Sequence, residues 1–118
     1  MVWPSKARFF DFAGVSDSYQ SAAVLVGGLL YPAGEAWLAA WETDPSIQLY
    51  GADNFHPSLL GTYLAALTMF EQITQIDLND LQPIILATGG DVRIDESLAK
   101  ILQDSAKKAN QQFALVYP

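Results

Sequence analysis

The chain contains a single histidine, His56, three residues after Asp53 and directly before Pro57. Histidine is the natural general base near neutral pH, because the pKa of an unperturbed imidazole side chain is about 6.5. A carboxylate on the Nδ1 side of such a ring fixes its tautomer and stabilises the imidazolium that forms when the ring takes a proton. A three-residue spacing in a tight loop lets both side chains face the same way. Asp53 and His56 therefore suit a general base and its orienting carboxylate.

The same two residues also allow a purely structural interpretation. A loop histidine beside a proline is often a solvated turn residue, and an aspartate three residues earlier can occur by chance. The spacing alone leaves both interpretations open, because it supplies no nucleophile.

Composition excludes several classes of function. The 118 residues, 51% of them hydrophobic, suffice for one small domain with a real core, so we expect residues 1–118 to form a single domain. The net charge of −7 repels phosphate backbones and anionic lipid, which argues against a nucleic-acid partner. The absence of cysteine excludes thiolate metal sites, and we expect no metal or cofactor. No apolar run approaches the roughly 20 residues that span a bilayer.

Hydrophobic periodicity and capping residues predict four helices. The first is capped by Ser16 or Asp17 and ends at Gly27, and the last is capped by Asp95. A short apolar run at 28–31 is predicted to be a strand, and a second run at 84–87 lies in a connector. The predicted helical segments are 18–26, 34–43, 58–73 and 95–109.

The predicted helices are too apolar for the sheet that accompanies them. Helices of this kind normally cover a sheet, yet only one or two strands are predicted here. Val2 and Trp3, followed by Pro4, are typical of the end of a buried strand. We therefore expect an incomplete domain, the C-terminal part of something longer, which either binds its missing half or self-associates through exposed apolar surface.

Three stretches carry a resemblance to a known family: "YPAGEAWLAAW", "IQLYGADNFHPS" and "GTYLAAL". Together they resemble the C-terminal part of the SGNH (GDSL-type) hydrolases, and the flanking "WPSKA" and "DSY..AA" are similar to one bacterial branch. That family ends in an Asp-x-x-His-Pro motif followed by a helix, and the motif here spans residues 53–57. The similarity covers roughly residues 2–73, and the last predicted helix fits the end of such a domain.

The resemblance implies both a fold and an activity. The fold would be α/β, the C-terminal portion of a flavodoxin-like three-layer α/β/α sandwich, mostly helical in this chain with one or two short parallel strands. The activity would be hydrolysis of small acyl or acetyl esters by a serine triad, without a metal. Asp53 and His56 would be the Asp-x-x-His part of that triad.

The sequence departs from the family at the nucleophile. The family's serine lies in a Gly-Asp-Ser block near the N-terminus, and a glycine N–H and an asparagine side chain complete the oxyanion hole. No such block occurs here. "GVSDS", at residues 14–18, has the letters in another order and is better explained as a helix start. Asn54, Asn79 and Asn110 do not lie in the family's oxyanion context.

Two hypotheses follow from this departure. In the first, the chain is the C-terminal segment of an SGNH-type esterase, active only when the N-terminal half that carries the serine is supplied. In the second, it is a catalytically silent remnant that serves as an interaction module.

Other residues have simpler interpretations. Trp3, Trp37 and Trp41 could line a substrate pocket, but the i, i+4 spacing of the last two favours the core. Glu35 could act as an acid, but we expect it to be a solvated carboxylate in the first turn of a helix.

Overall fold

The computed structural model describes residues 1–3 and 5–113, and four α-helices make up most of this part of the chain. The helices are α1 (Phe12–Val26), α2 (Ala33–Thr43), α3 (Leu59–Thr74) and α4 (Glu96–Phe113). Two 3-10 turns, Lys6–Asp11 and Leu78–Asp80, precede α1 and follow α3. Two strands, β1 (Ile84–Ile85) and β2 (Val92–Arg93), form a small sheet before α4.

The core lies among α2, α3 and α4, which pack against one another. Trp37, Leu64 and Leu102 bring large side chains to its centre, one from each helix, and all three are fully buried. Alanines on α2 and α4 are also fully buried and let the two backbones approach closely. The segment that leads to Asp53 is anchored in this core through the buried side chains of Ile47 and Leu49.

A glycine fixes the approach of α3 to α2. A Cβ atom on Gly61 would collide with the Leu49 carbonyl oxygen and would lie 2.5 Å from Cζ2 of Trp37. The Trp37 indole N–H donates to the Gly61 carbonyl oxygen at 3.2 Å. The absence of a side chain at residue 61 therefore lets α3 begin directly beside the segment that carries the candidate site.

The predicted boundaries of α2, α3 and α4 agree with the structure to within a few residues. Asp95 caps α4 as predicted, since its Oδ1 accepts from the N–H groups of Ser97 at 2.9 Å and Leu98 at 3.2 Å. At α3, Ser58 is the N-cap and Pro57 lies just outside the helix.

The predicted start of α1 is wrong. The helix begins at Phe12, so Ser16 and Asp17 lie inside it and cap nothing. The preceding 3-10 turn leads directly into α1 through Asp11, which already has helical backbone angles. The Asp11 carboxylate accepts from Arg8 instead of capping the helix. Local sequence pointed to a serine cap, whereas the serine hydroxyl is used in a tertiary contact.

The expected parallel strands are not formed among the described residues. Residues 28–31 have no strand partner within the described part of the chain. The Leu30 carbonyl oxygen accepts a hydrogen bond from Gln72 Nε2 at 2.8 Å, and the Tyr31 carbonyl oxygen accepts one from the Met1 amine at 2.8 Å. In the apolar run at 84–87, residues 84–85 form β1, which pairs antiparallel with β2 at residues 92–93. The connection 86–91 is too short for the crossover that parallel strands need. The described chain is thus mostly helical with a small antiparallel sheet.

Helix α1 differs from the others in how little of it is buried. Only Phe12, Ser16 and Ala23 of its residues are buried, and its last turn exposes Val24, Leu25 and Val26. None of the described helices is long and apolar enough to cross a membrane.

Candidate functional site

Residues 51–57, hereafter the Asp-His loop, form a closed turn between the core segment and α3. Tyr50 and Pro57 form an antiparallel bridge at its base. The Gly51 N–H donates to the His56 carbonyl oxygen at 2.7 Å, and the Asn54 N–H donates to the Gly51 carbonyl oxygen at 3.1 Å. Asn54 has φ 56°, in the left-handed region that asparagine tolerates better than most residues. These contacts fold the loop back on itself and bring residues 53 and 56 to one side.

The structure brings the two predicted site residues together. Asp53 Oδ2 lies 2.6 Å from His56 Nδ1. Asp53 Oδ1 accepts from the backbone N–H groups of Phe55 at 3.0 Å and His56 at 2.9 Å. One carboxylate therefore holds both the turn and the imidazole ring.

These hydrogen bonds determine the charge of Asp53. The bond to the His56 side chain, followed by those from the Phe55 and His56 backbone, lowers the pKa of Asp53 to about 2. The carboxylate is thus ionised near neutral pH and can only accept. In a neutral His56 ring the proton then lies on Nδ1, and the lone pair of Nε2 is left for a base reaction.

The pair is open to solvent. The His56 side chain is 72% exposed and that of Asp53 is 52% exposed. The Phe55 ring meets the His56 ring edge-on, with centroids 4.9 Å apart. Within the described residues His56 Nε2 receives no hydrogen bond. The imidazole ring is therefore accessible to a second protein segment or to a substrate.

The serines nearest the candidate motifs are engaged elsewhere. Ser16 Oγ donates to Glu35 Oε1 at 2.5 Å, and Ser18 Oγ donates to the Gly14 carbonyl oxygen at 2.7 Å. Ser58 Oγ donates to the Gln48 carbonyl oxygen at 2.7 Å while it caps α3. None of these three hydroxyls is hydrogen-bonded to His56 in the described part of the chain, so the structure pairs the base with no nucleophile.

Among the described residues, no asparagine side chain is hydrogen-bonded to His56 as an oxyanion donor beside it would allow. The Asn110 amide is used inside the helical core, where it donates to the Thr68 carbonyl oxygen at 3.0 Å and to Glu71 Oε2 at 2.7 Å. Asn79 lies in the 3-10 turn that follows α3. Asn54 belongs to the Asp-His loop itself.

Of the other candidates, Trp37 and Glu35 are structural, whereas Trp41 also lines a cavity. Trp37 is fully buried and stacks on Trp3 at a centroid distance of 4.7 Å, and Trp41 meets it edge-on at 5.5 Å. Glu35 is only partly exposed and accepts from the buried Ser16, so the expectation of a freely solvated carboxylate is wrong. This Ser16–Glu35 contact joins α1 to α2, and no local pattern in the sequence signals it.

Two further observations bear on the chemistry. Among the described residues no cluster of three or more His, Cys, Asp or Glu side chains could hold a metal ion. Comparisons with protein-family models, with curated proteins and with solved structures find no match for this chain. A functional assignment therefore depends on the Asp-His loop and the motif that it carries.

Proposed function

We propose that this chain supplies the Asp/His half of an SGNH-type serine esterase site, and that the nucleophile and oxyanion donors come from another polypeptide segment. The proposal rests mainly on the 2.6 Å contact between Asp53 Oδ2 and His56 Nδ1. This contact lies within an Asp-x-x-His-Pro motif that precedes a helix. The exposed, unpartnered Nε2 supports the proposal because a triad histidine must present this atom to the serine.

The proposed reaction follows from this geometry. His56 Nε2 takes the proton of the incoming serine hydroxyl as the serine oxygen attacks the ester carbonyl. Asp53 stabilises the imidazolium, which then protonates the departing alcohol. Water, activated by the same base, hydrolyses the acyl-enzyme and releases a carboxylic acid. The substrate class is a small acyl or acetyl ester, by resemblance to the family.

The proposal includes a larger fold. In a three-layer α/β/α arrangement, residues 1–3 and 28–31 would be strands of a parallel sheet completed by the second segment. Two observations support this. The Met1 amine donates to the Tyr31 carbonyl oxygen at 2.8 Å, so the start of one stretch contacts the end of the other. Leu29 is 62% exposed, as expected for a strand residue whose covering layer is elsewhere.

A labelling experiment tests the proposal. The chain alone should show no covalent labelling by a fluorophosphonate probe and no ester hydrolysis above that of free imidazole. Addition of the segment that carries the Gly-Asp-Ser block, fused or as a separate chain, should give labelling on the serine of that segment. Loss of the serine in a triad costs about 10⁶-fold in turnover, so the gain should be large.

Variants in the loop make the test specific. In the completed enzyme His56→Ala should abolish hydrolysis, and Asp53→Asn should lower turnover by about 10⁴-fold because the ring is held in the wrong tautomer. Asp80→Asn, an exposed carboxyl outside the loop, is the matched control and should change nothing. Labelling of the chain alone at Ser16, Ser18 or Ser58 would contradict the proposal.

A second candidate function is a silent interaction module, and the exposed apolar end of α1 favours it. On that hypothesis the second segment, or another copy of the chain, binds without hydrolysis. Binding with no fluorophosphonate labelling would identify this case.

A further inference from the structure

A cavity of about 300 Å³ lies beside the Asp-His loop. It is open to solvent and is lined by the 3-10 turn before α1, the end of α2, the segment that runs from Pro45 to Tyr50, and Asn54 of the loop. Its volume is at the lower end of the range for small-molecule sites, about 300–1,000 Å³. Trp41 is among the residues that the sequence offers for a pocket, but the rest of the wall could not be predicted, because Lys6 and Phe9 are distant from Trp41 in the sequence.

The apolar wall of the cavity is held in place by fixed contacts. The Trp41 ring has its Nε1–H hydrogen-bonded to the Ile47 carbonyl oxygen at 2.9 Å. Phe9 lies against Trp41 at a centroid distance of 5.7 Å, and Tyr50 lies on Trp41 at 5.5 Å. Leu49, also in the wall, is fully buried. The rings therefore form a ready-made surface for an apolar group, with little ordering left to occur on binding.

Lys6 gives the cavity its charge. Four of the other basic side chains form ion pairs: Arg8 with Asp11, Lys100 with Asp104, Lys107 with Asp77 and Lys108 with Glu42. Lys6 lines the cavity and has no ion pair within residues 1–3 and 5–113. None of the described residues in the cavity wall is acidic. In a chain of net charge −7, this spot favours an anion.

We propose that the cavity binds a carboxylate with a short apolar chain, the chain against Phe9 and Trp41 and the carboxylate paired with Lys6. Binding is coupled to the candidate site, because the Lys6 N–H donates to the Asn54 carbonyl oxygen at 3.1 Å. The inference goes beyond the esterase proposal and does not depend on it. If both hold, the ligand has the chemistry of the acid that ester hydrolysis releases.

The experiment is an NMR titration of the chain with three probes: hexanoate, hexan-1-ol and acetate. Hexanoate should shift the Trp41 indole signal and the Lys6, Gln48 and Asn54 amides in a saturable way. Hexan-1-ol, which has the chain without the charge, should bind about fivefold more weakly, as expected for the loss of about 1 kcal/mol from an exposed ion pair. Acetate, which has the charge without the chain, should not saturate.

Two variants complete the test. Lys6→Gln should weaken hexanoate binding by about the same factor and leave hexan-1-ol unchanged. Arg93→Gln, at an exposed cation on β2 outside the cavity, is the control and should leave both unchanged. The inference is overturned if hexanoate fails to saturate, if hexan-1-ol binds equally well, if Lys6→Gln has no effect, or if the shifts map away from the cavity. All of these outcomes are measured without hydrolysis, so failure of the esterase proposal remains a separate result.

Discussion

Asp53 contributes both of its carboxylate oxygens to the Asp-His loop, and the two oxygens have different tasks. Oδ1 accepts two backbone N–H groups and so shapes the turn, whereas Oδ2 accepts from the His56 ring. An asparagine at residue 53 could still accept the two backbone hydrogen bonds through its amide oxygen. Its NH₂ group would donate to the His56 ring, where the carboxylate accepts a hydrogen bond. Substitution at this one residue can therefore separate loop shape from ring chemistry.

We predict that Asp53→Asn changes the tautomer of His56 without unfolding the loop. Long-range ¹H–¹⁵N NMR at pH 9, where an imidazole is ordinarily neutral, should show the proton on Nδ1 in the native chain and on Nε2 in the variant. The amide shifts of α3, which starts next to the loop, should stay in place in both. An unchanged ring spectrum would mean that the two side chains do not meet in solution.

The pH dependence of Asp53 provides a second test at this scale. Its pKa of about 2 lies below the value of about 3.9 for an unfolded aspartate, so the ionised carboxylate stabilises the folded loop. This contribution should be complete above about pH 4 and should be lost as the pH falls through 2. In His56→Ala the titration midpoint of the Asp53 carboxyl should rise, since the hydrogen bond to the ring is the largest cause of the lowered pKa. The midpoint should stay below about 3.9, because the backbone N–H donors remain.

A ¹³C titration of the aspartate carboxyls measures both midpoints. Asp77 serves as the internal control, because its pKa is lowered by Lys107 and not by the loop, so His56→Ala should leave its midpoint unchanged. A common shift of both carboxyls would show a general change in the protein and would contradict the local explanation.

Among the elements, the contact between α2 and α3 is the one most sensitive to a single methyl group. We predict that Gly61→Ala lowers the free energy of unfolding by about 1–3 kcal/mol, because the new Cβ would collide with the Leu49 carbonyl oxygen and the Trp37 ring. Gly14→Ala, in α1, is the matched control. A Cβ there meets nothing within 4 Å, and alanine in a helix should raise stability by about 0.5–1 kcal/mol. Urea unfolding midpoints measure both, and equal midpoints would contradict the packing argument.

At the element scale, the sequence predicted the helices and caps that depend on neighbouring residues, and it failed where distant segments contact one another. Helix periodicity and the Asp95 cap placed α2, α3 and α4 nearly correctly, and the three-residue spacing placed Asp53 beside His56. The start of α1 was misplaced because Ser16 resembles a cap but bonds to Glu35, a contact that no local pattern encodes. The strand pairing was mispredicted for the same reason, since it depends on which segments meet. Trp41 was named as a possible pocket residue, but the cavity beside the loop could not be predicted, because Lys6 and Phe9 reach it from a distant part of the sequence.

Considered as a whole, the molecule leaves apolar side chains exposed at one end of its helical part. Part of the exposed surface lies at the end of α1 and just beyond it, where Leu25 and Val26 are 87% and 76% exposed. An apolar patch of this kind is a candidate site for contact with another protein surface.

This surface leads to a prediction about assembly. Leu25, Val26 and Leu29 are exposed at the end of α1 and just beyond it, so the isolated chain should associate weakly and reversibly through this apolar patch. Sedimentation velocity should show a sedimentation coefficient that rises with concentration. The double variant Leu25→Lys and Leu29→Lys should sediment as a monomer and keep its unfolding midpoint, since both side chains are exposed. Gln111→Lys with Gln112→Lys adds the same charge on the exposed face of α4 and should leave association unchanged. A native chain that stays monomeric at all concentrations would contradict self-association and would leave a different polypeptide as the partner of α1.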